Sequence, residues 1–136
     1  KPLVQIRTYA DELQVPIHMH VHETAGEVED SFKQTGMRPL ERLYELGLLS
    51  PRMMAVHMTQ LDDQEVTLVA DQGIHVVHCP ESNLKLASGN CRVADLLEAG
   101  VNVCLGTDSA ASNNDLNLFS ELQTAALLGL IGLCRS

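Results

Sequence analysis

The sequence has no tryptophan and only two tyrosines and two phenylalanines, so it builds no surface on which nucleic-acid bases could stack. Positive charge is equally scarce. Nine Lys and Arg stand against 18 Asp and Glu, for a formal net charge of −9, and no basic cluster occurs anywhere. A phosphate backbone or an anionic membrane demands a positive footprint, so neither is expected as a partner. No uninterrupted apolar run is long enough to span a bilayer, and no basic segment followed by an apolar one marks export. The four cysteines, Cys79, Cys91, Cys104 and Cys134, form no CxxC pair. That spacing argues against a zinc knuckle or a redox dithiol, and reduced thiols in a cytoplasmic protein are the expectation.

What is present is an ordinary globular composition, 45% hydrophobic and 20% charged over 136 residues. It suits one domain spanning residues 1–136, with enough chain to bury a core. The chain opens at Lys1-Pro2-Leu3 without a Met, and Leu3, Ile6, Ala10 and Leu13 already follow helical spacing. It reads as if entered within an element, and a fragment of a longer protein is expected.

Short apolar runs then alternate with helical patterns. Strands are predicted over 15–21, 53–57, 74–78 and 101–105. Helices are predicted over 25–35, 39–48, 61–72, 92–99 and 116–130, with a polar loop over 79–90. Apolar strands separated by helices call for a parallel sheet, either doubly wound or part of a (β/α)8 barrel. The polar residues favour the barrel. His20 and His22, His57, His78 and Asp108 each fall at or just past the C-terminal end of a different strand, and in a barrel those ends converge on one mouth. Four such units make half of the ~250 residues a whole barrel uses.

Several residues in these positions carry chemistry. His18, His20 and His22 alternate along the first strand and are expected on one face, as a metal pair would require or as chance provides. Glu23 follows where the strand turns into a loop; it can reach a ligand held at a metal, or merely complement a helix N-terminus. His57 alone reads as structural. His75 and His78, three apart, cannot chelate together; His75 is expected to be hydrogen-bonded in the wall, and His78 to border the mouth. Asp108, within Gly106-Thr107-Asp108-Ser109, suits a turn as well as a metal ligand.

Taken in order, His20-x-x-Glu23, Ala55-Val56-His57, His78-Cys79-Pro80-Glu81-Ser82-Asn83-Leu84-Lys85-Leu86 and Gly106-Thr107-Asp108-Ser109-Ala110-Ala111-Ser112-Asn113-Asn114 resemble the second half of the amidohydrolase superfamily. More narrowly, they resemble its branch of 5-methylthioadenosine/S-adenosylhomocysteine deaminases and triazine chlorohydrolases. The resemblance runs from about Val15 to Leu128. It implies a metal-dependent (β/α)8 hydrolase of which this chain supplies strands five to eight. His20 and Asp108 would be metal ligands, with zinc expected and iron or manganese also compatible. Glu23 would bind the substrate and protonate a ring nitrogen, and His57 would hold or polarise the attacking hydroxide. Asp108 would also contact substrate and take a proton from the water. His18 and His22 match no ligand of the pattern.

The implied activity is hydrolytic deamination of an adenosine-like small molecule with release of ammonia. Alternatives are another amidohydrolase activity (guanine or cytosine deaminase, triazine chlorohydrolase) or a truncated, non-catalytic half-barrel. The family's HxH pair on its first strand has no counterpart in this sequence. The 136 residues alone are therefore expected to bind metal weakly and to be inactive or nearly so. The stretch 128–136 departs from the family's continuation. Open sheet edges are expected to favour a homo-oligomer.

Overall fold

The computed structural model describes residues 2–133 of the chain. It begins with α1 (Pro2–Leu13) and β1 (Ile17–Val21), followed by α2 (Ala25–Thr35) and α3 (Pro39–Glu45). Next come β2 (Met53–His57), α4 (Asp63–Asp71), β3 (His75–His78) and α5 (Pro80–Lys85). The described residues close with α6 (Val93–Glu98), β4 (Val103–Leu105) and α7 (Leu118–Leu133). Cys134 and the end of the 128–136 stretch lie outside the described residues.

The four strands form one parallel sheet in the order β1-β2-β3-β4. A doubly wound sheet reverses its strand order at a switch point; this one runs in sequence order throughout, as a barrel wall does. The two faces of the sheet differ accordingly. On one, Val21, Met53, Ala55 and Val76 pack with Leu40 and Leu43 of α3, Val66 and Val69 of α4 and Leu96 of α6 in the main core. On the other, Met54, Val56, Val77 and Cys79 form a small apolar layer, and His18 and His20 are exposed there. Helices on one side, with a thin apolar layer and histidines on the other, are the outside and inside of a partial barrel.

Local chemistry accounts for the helix limits. Asp62 and Glu65 form a reciprocal capping box at the start of α4. Thr24 caps α2, which ends at Gly36 with φ 74, a left-handed conformation that glycine adopts without strain. Arg38, just ahead of α3, makes a two-pronged contact with Glu65 (Nε to Oε1 2.8 Å, a terminal nitrogen to Oε2 2.7 Å), tying α3 to α4.

Three sequence expectations are corrected. Residues 79–90 are not all loop, because Pro80 sits in the first turn of α5. The polar Ser82 and Asn83 that suggest a loop are instead buried, aimed inward. His22 does not share a face with His18 and His20. Its φ of 55 breaks the alternation and turns the ring into the protein, where Nε2 accepts from the Leu40 amide at 3.1 Å. His78 does not border the mouth: it has the parity of Val76, and lines a cavity of about 420 Å³ with Cys91, Ala125 and Leu128. Burial, with a smaller contribution from nearby His57, lowers its pKa to about 4. His75 is bonded in the wall as expected, its Nδ1 accepting from Asn102 Nδ2 at 3.0 Å.

Candidate metal centre

Parallel register brings the strand ends together. His20 lies beside Val56 and Val21 beside His57, while His78 pairs with Leu105 just ahead of the loop that carries Asp108. The result is a cluster in which one ligand atom each of His20, His57 and Asp108 lies within 4.8 Å of the others. The His20 and His57 rings meet edge to face, with centroids 5.1 Å apart. His57 Nε2 is 3.8 Å from Glu23 Oε2 and 3.9 Å from Asp108 Oδ2. The four sequence-predicted residues thus meet at one mouth, and His18 stays outside the cluster.

The backbone is strained around this mouth. His22 (φ 55), His57 (φ 75), Met58 (φ 48) and Asp108 (φ 60) all occupy the left-handed region without being glycine. Each such residue costs about 1–3 kcal/mol, so four of them within one rim need firm support from their surroundings.

That support is visible. The Glu27 carboxylate accepts from two consecutive amides, His22 N at 3.1 Å and Glu23 N at 2.7 Å, while its own amide donates to the Thr24 cap. Thr59 Oγ1 donates to the Glu23 carbonyl at 2.7 Å from the other side, with the His22 carbonyl 3.1 Å away. His22 is neutral in this setting: burial outweighs the nearby Glu65 carboxylate and lowers its pKa. Asp108 Oδ2 accepts from both Ser82 Oγ and Ser112 Oγ at 2.7 Å. Burial would raise the Asp108 pKa, but those two hydroxyls, with His57 and the Ser109 amide, hold it below the usual carboxylate value. His57 Nδ1 bonds to Asn83 Oδ1 at 2.9 Å. Sequence reasoning missed Glu27, Ser82, Asn83 and Ser112 as supports. Glu27 is the fourth residue of a Thr24-x-x-Glu27 capping pattern, and Ser82, Asn83 and Ser112 lie within the family-like motifs without a role of their own there.

These residues fit a divalent metal. His57 Nε2 is buried and has no hydrogen-bond partner, and it faces a carboxylate and a second imidazole. A buried polar atom is rarely left so unless something else completes it. Two imidazoles and a carboxylate are a donor set that zinc accepts, with the remaining positions open to other groups.

Comparison with known proteins agrees with the geometry. The sequence profile described as the amidohydrolase family matches residues 2–132. The chain is 59% identical over 129 residues to a 5-methylthioadenosine/S-adenosylhomocysteine deaminase of Saccharophagus degradans, covering 95% of this chain and 29% of that protein. It is 45% identical over 134 residues to a 5'-deoxyadenosine deaminase of Methanothrix thermoacetophila, covering 98% of this chain and 32% of the relative. Among solved structures, an adenosine deaminase from Xanthomonas campestris with bound zinc superposes with a TM-score of 0.91 at 57% identity, over 93% of this chain and 29% of that one. A triazine hydrolase variant superposes with a TM-score of 0.88 at 30% identity, over 92% and 27%. The chain spans under a third of the length of these two curated relatives.

Proposed function

The chain belongs to the amidohydrolase family, and from that premise we propose that it supplies half of the active site of a zinc-dependent deaminase acting on an adenosine-like small molecule. The convergence of His20, His57 and Asp108 on one point, with Glu23 beside it, carries this reading. Relatives named for deamination of 5-methylthioadenosine, S-adenosylhomocysteine and 5'-deoxyadenosine support the substrate class.

His20 and Asp108 would hold the metal, with the Asp108 carboxylate oriented by its two serine partners. Zinc bound there supplies Lewis acidity that makes water a nucleophile at neutral pH. His57, its Nε2 without a partner, accepts a hydrogen bond from the attacking water and orients it. Asp108 takes the proton that the water gives up as it adds to the carbon bearing the amino group. Glu23 donates a proton to the adjacent ring nitrogen, so negative charge does not accumulate on the ring. Asp108 passes its proton to the departing amino group, the carbon–nitrogen bond breaks and ammonia leaves, and the hydroxyl proton of the intermediate returns to Glu23.

Residues 1–136 act as one partial-barrel domain in this reading. A cytoplasmic setting suits the unpaired thiols of Cys79, Cys91 and Cys104. Among the described residues no helix is long and apolar enough to cross a membrane. β1 and β4 edge the sheet, and their open backbone groups favour association with a second copy. A monodisperse monomer in light scattering would refute that association.

The catalytic reading is tested by exchanging this segment into the Saccharophagus degradans relative and following ammonia release from 5-methylthioadenosine. The chimera is expected to deaminate, and Glu23→Gln or Asp108→Asn within it to abolish turnover. A folded, zinc-loaded chimera without activity would overturn the proposal.

A further inference from the structure

β3 gives the centre no ligand, yet the helix that follows it is more deeply buried than its composition warrants. Ser82 is 0% exposed and Asn83 is 1% exposed, both within the six residues of α5. Buried polar groups require internal partners; the Ser82 hydroxyl and the Asn83 carbonyl oxygen find theirs on opposite walls of the cluster, while Asn83 Nδ2 has none among the described residues. Ser82 Oγ donates to Asp108 Oδ2 at 2.7 Å, on the side of β4. Asn83 Oδ1 meets His57 Nδ1 at 2.9 Å, on the side of β2. Because β3 lies between β2 and β4 in the sheet, one turn of helix reaches both neighbours. Successive helix positions point about 100° apart, so adjacent residues fan toward different walls.

We propose that Ser82 and Asn83 are a two-residue positioning clamp that sets which atoms of Asp108 and His57 face the centre, an inference that rests on the metal-site reading above. A carbonyl oxygen only accepts, so Asn83 Oδ1 places the His57 proton on Nδ1 and leaves the Nε2 lone pair pointing inward. The opposite tautomer would aim an N–H at the cluster and could serve neither a metal nor a water proton. Ser82, with Ser112, holds Asp108 Oδ2, the oxygen 3.9 Å from His57 Nε2, and so fixes how the carboxylate is presented to the cluster. The clamp thus fixes one proton and one carboxylate orientation.

The test is nitrogen-15 NMR of the imidazoles in the full chain, paired with cobalt(II) titration as the metal probe. In the unmodified protein His57 is expected with a protonated Nδ1 and a bare Nε2. Asn83→Asp keeps an acceptor and is expected to keep that tautomer. Asn83→Leu is expected to mix the tautomers, and Asn83→Leu and Ser82→Ala each to weaken cobalt binding by about 10- to 100-fold, the usual cost of losing a ligand's hydrogen-bond partner. Ser82→Thr restores the hydroxyl and is expected to restore binding. A proton on Nε2 in the unmodified protein overturns the proposal without any variant, as does an unchanged tautomer in a folded Asn83→Leu. If the unmodified chain binds no cobalt but His57 holds the Nδ1 proton and loses it in Asn83→Leu, the metal reading fails and the clamp stands.

Discussion

Replacing Glu27 by Gln removes one of the two acceptors that hold the turn between His20 and Glu23. The carboxylate receives the His22 amide at 3.1 Å and the Glu23 amide at 2.7 Å through its two separate oxygens. A carboxamide has one acceptor, so one of these amides must face an NH2 group instead. Hydrogen bonds to a charged group contribute about 1.5–3 kcal/mol each, and an unsatisfied donor costs about 1–3 kcal/mol. Glu27 is only half-buried, and water can reach the orphaned amide, which brings the expected loss to about 2 kcal/mol. With an unfolding entropy of about 2.1 cal/mol/K per residue, a chain of 136 residues should then melt about 7 °C lower. Glu29→Gln is the control, because Glu29 lies exposed on the same helix and contacts only the exposed Lys33. It should change stability by no more than about 0.5 kcal/mol. Thermal unfolding followed by circular dichroism at pH 7, without metal, measures both variants. A Glu27→Gln protein melting within a degree of the unmodified chain, or a Glu29→Gln protein falling as far, would refute the claim that this carboxylate holds the turn.

The folded state keeps His78 neutral down to about pH 4, whereas the unfolded chain takes up a proton near its ordinary 6.5. Stability should therefore fall as pH drops from 6.5 toward 4, by about 3 kcal/mol at ~1.4 kcal/mol per unit. Urea unfolding at pH 7 and 4.5 would show it, and His78→Leu should flatten much of the drop, with His22 supplying part of the rest. A Cβ on Gly106 would lie 2.9 Å from Val77 Cγ1 and 3.2 Å from Cys79 Sγ. Gly106→Ala should thus cost about 1–3 kcal/mol by overpacking and weaken metal binding by shifting Asp108, both readable by calorimetry. Zinc at about 100 times its dissociation constant should stabilise the protein by about 2.7 kcal/mol, and Asp108→Ala should abolish that gain. An equal zinc-induced rise in melting temperature in the variant would count against Asp108 as a ligand.

The periodicity carries most of the fold. The predicted helix over 25–35 and strand over 53–57 coincide with α2 and β2: Thr24 and Gly36 bound the helix, and the strand is an apolar run with Met53 and Ala55 in the main core and Val56 in the inner layer. α5 escapes that logic, since Ser82 and Asn83 serve the site from inside the protein and imitate a loop in sequence. His22 escapes it too: alternation holds only while φ stays negative, and nothing in a His-x-His-x-His run announces a left-handed residue. Glu23, His57 and Asp108 are each ambiguous alone, and parallel register makes them one cluster. The supports are invisible for a related reason. A serine that clamps a carboxylate and a serine on the surface have the same spacing, so only the folded distances distinguish Ser82 and Ser112 from the rest.

The most direct test of the metal centre is an anomalous-scattering map at the zinc edge from zinc-loaded crystals of the protein. A zinc peak is expected at the strand ends, about 2.0–2.2 Å from a His20 ring nitrogen and from the Asp108 carboxylate, with His57 Nε2 facing the same space. Zinc bound elsewhere, or a filled mouth in which neither His20 nor Asp108 touches the ion, would contradict it.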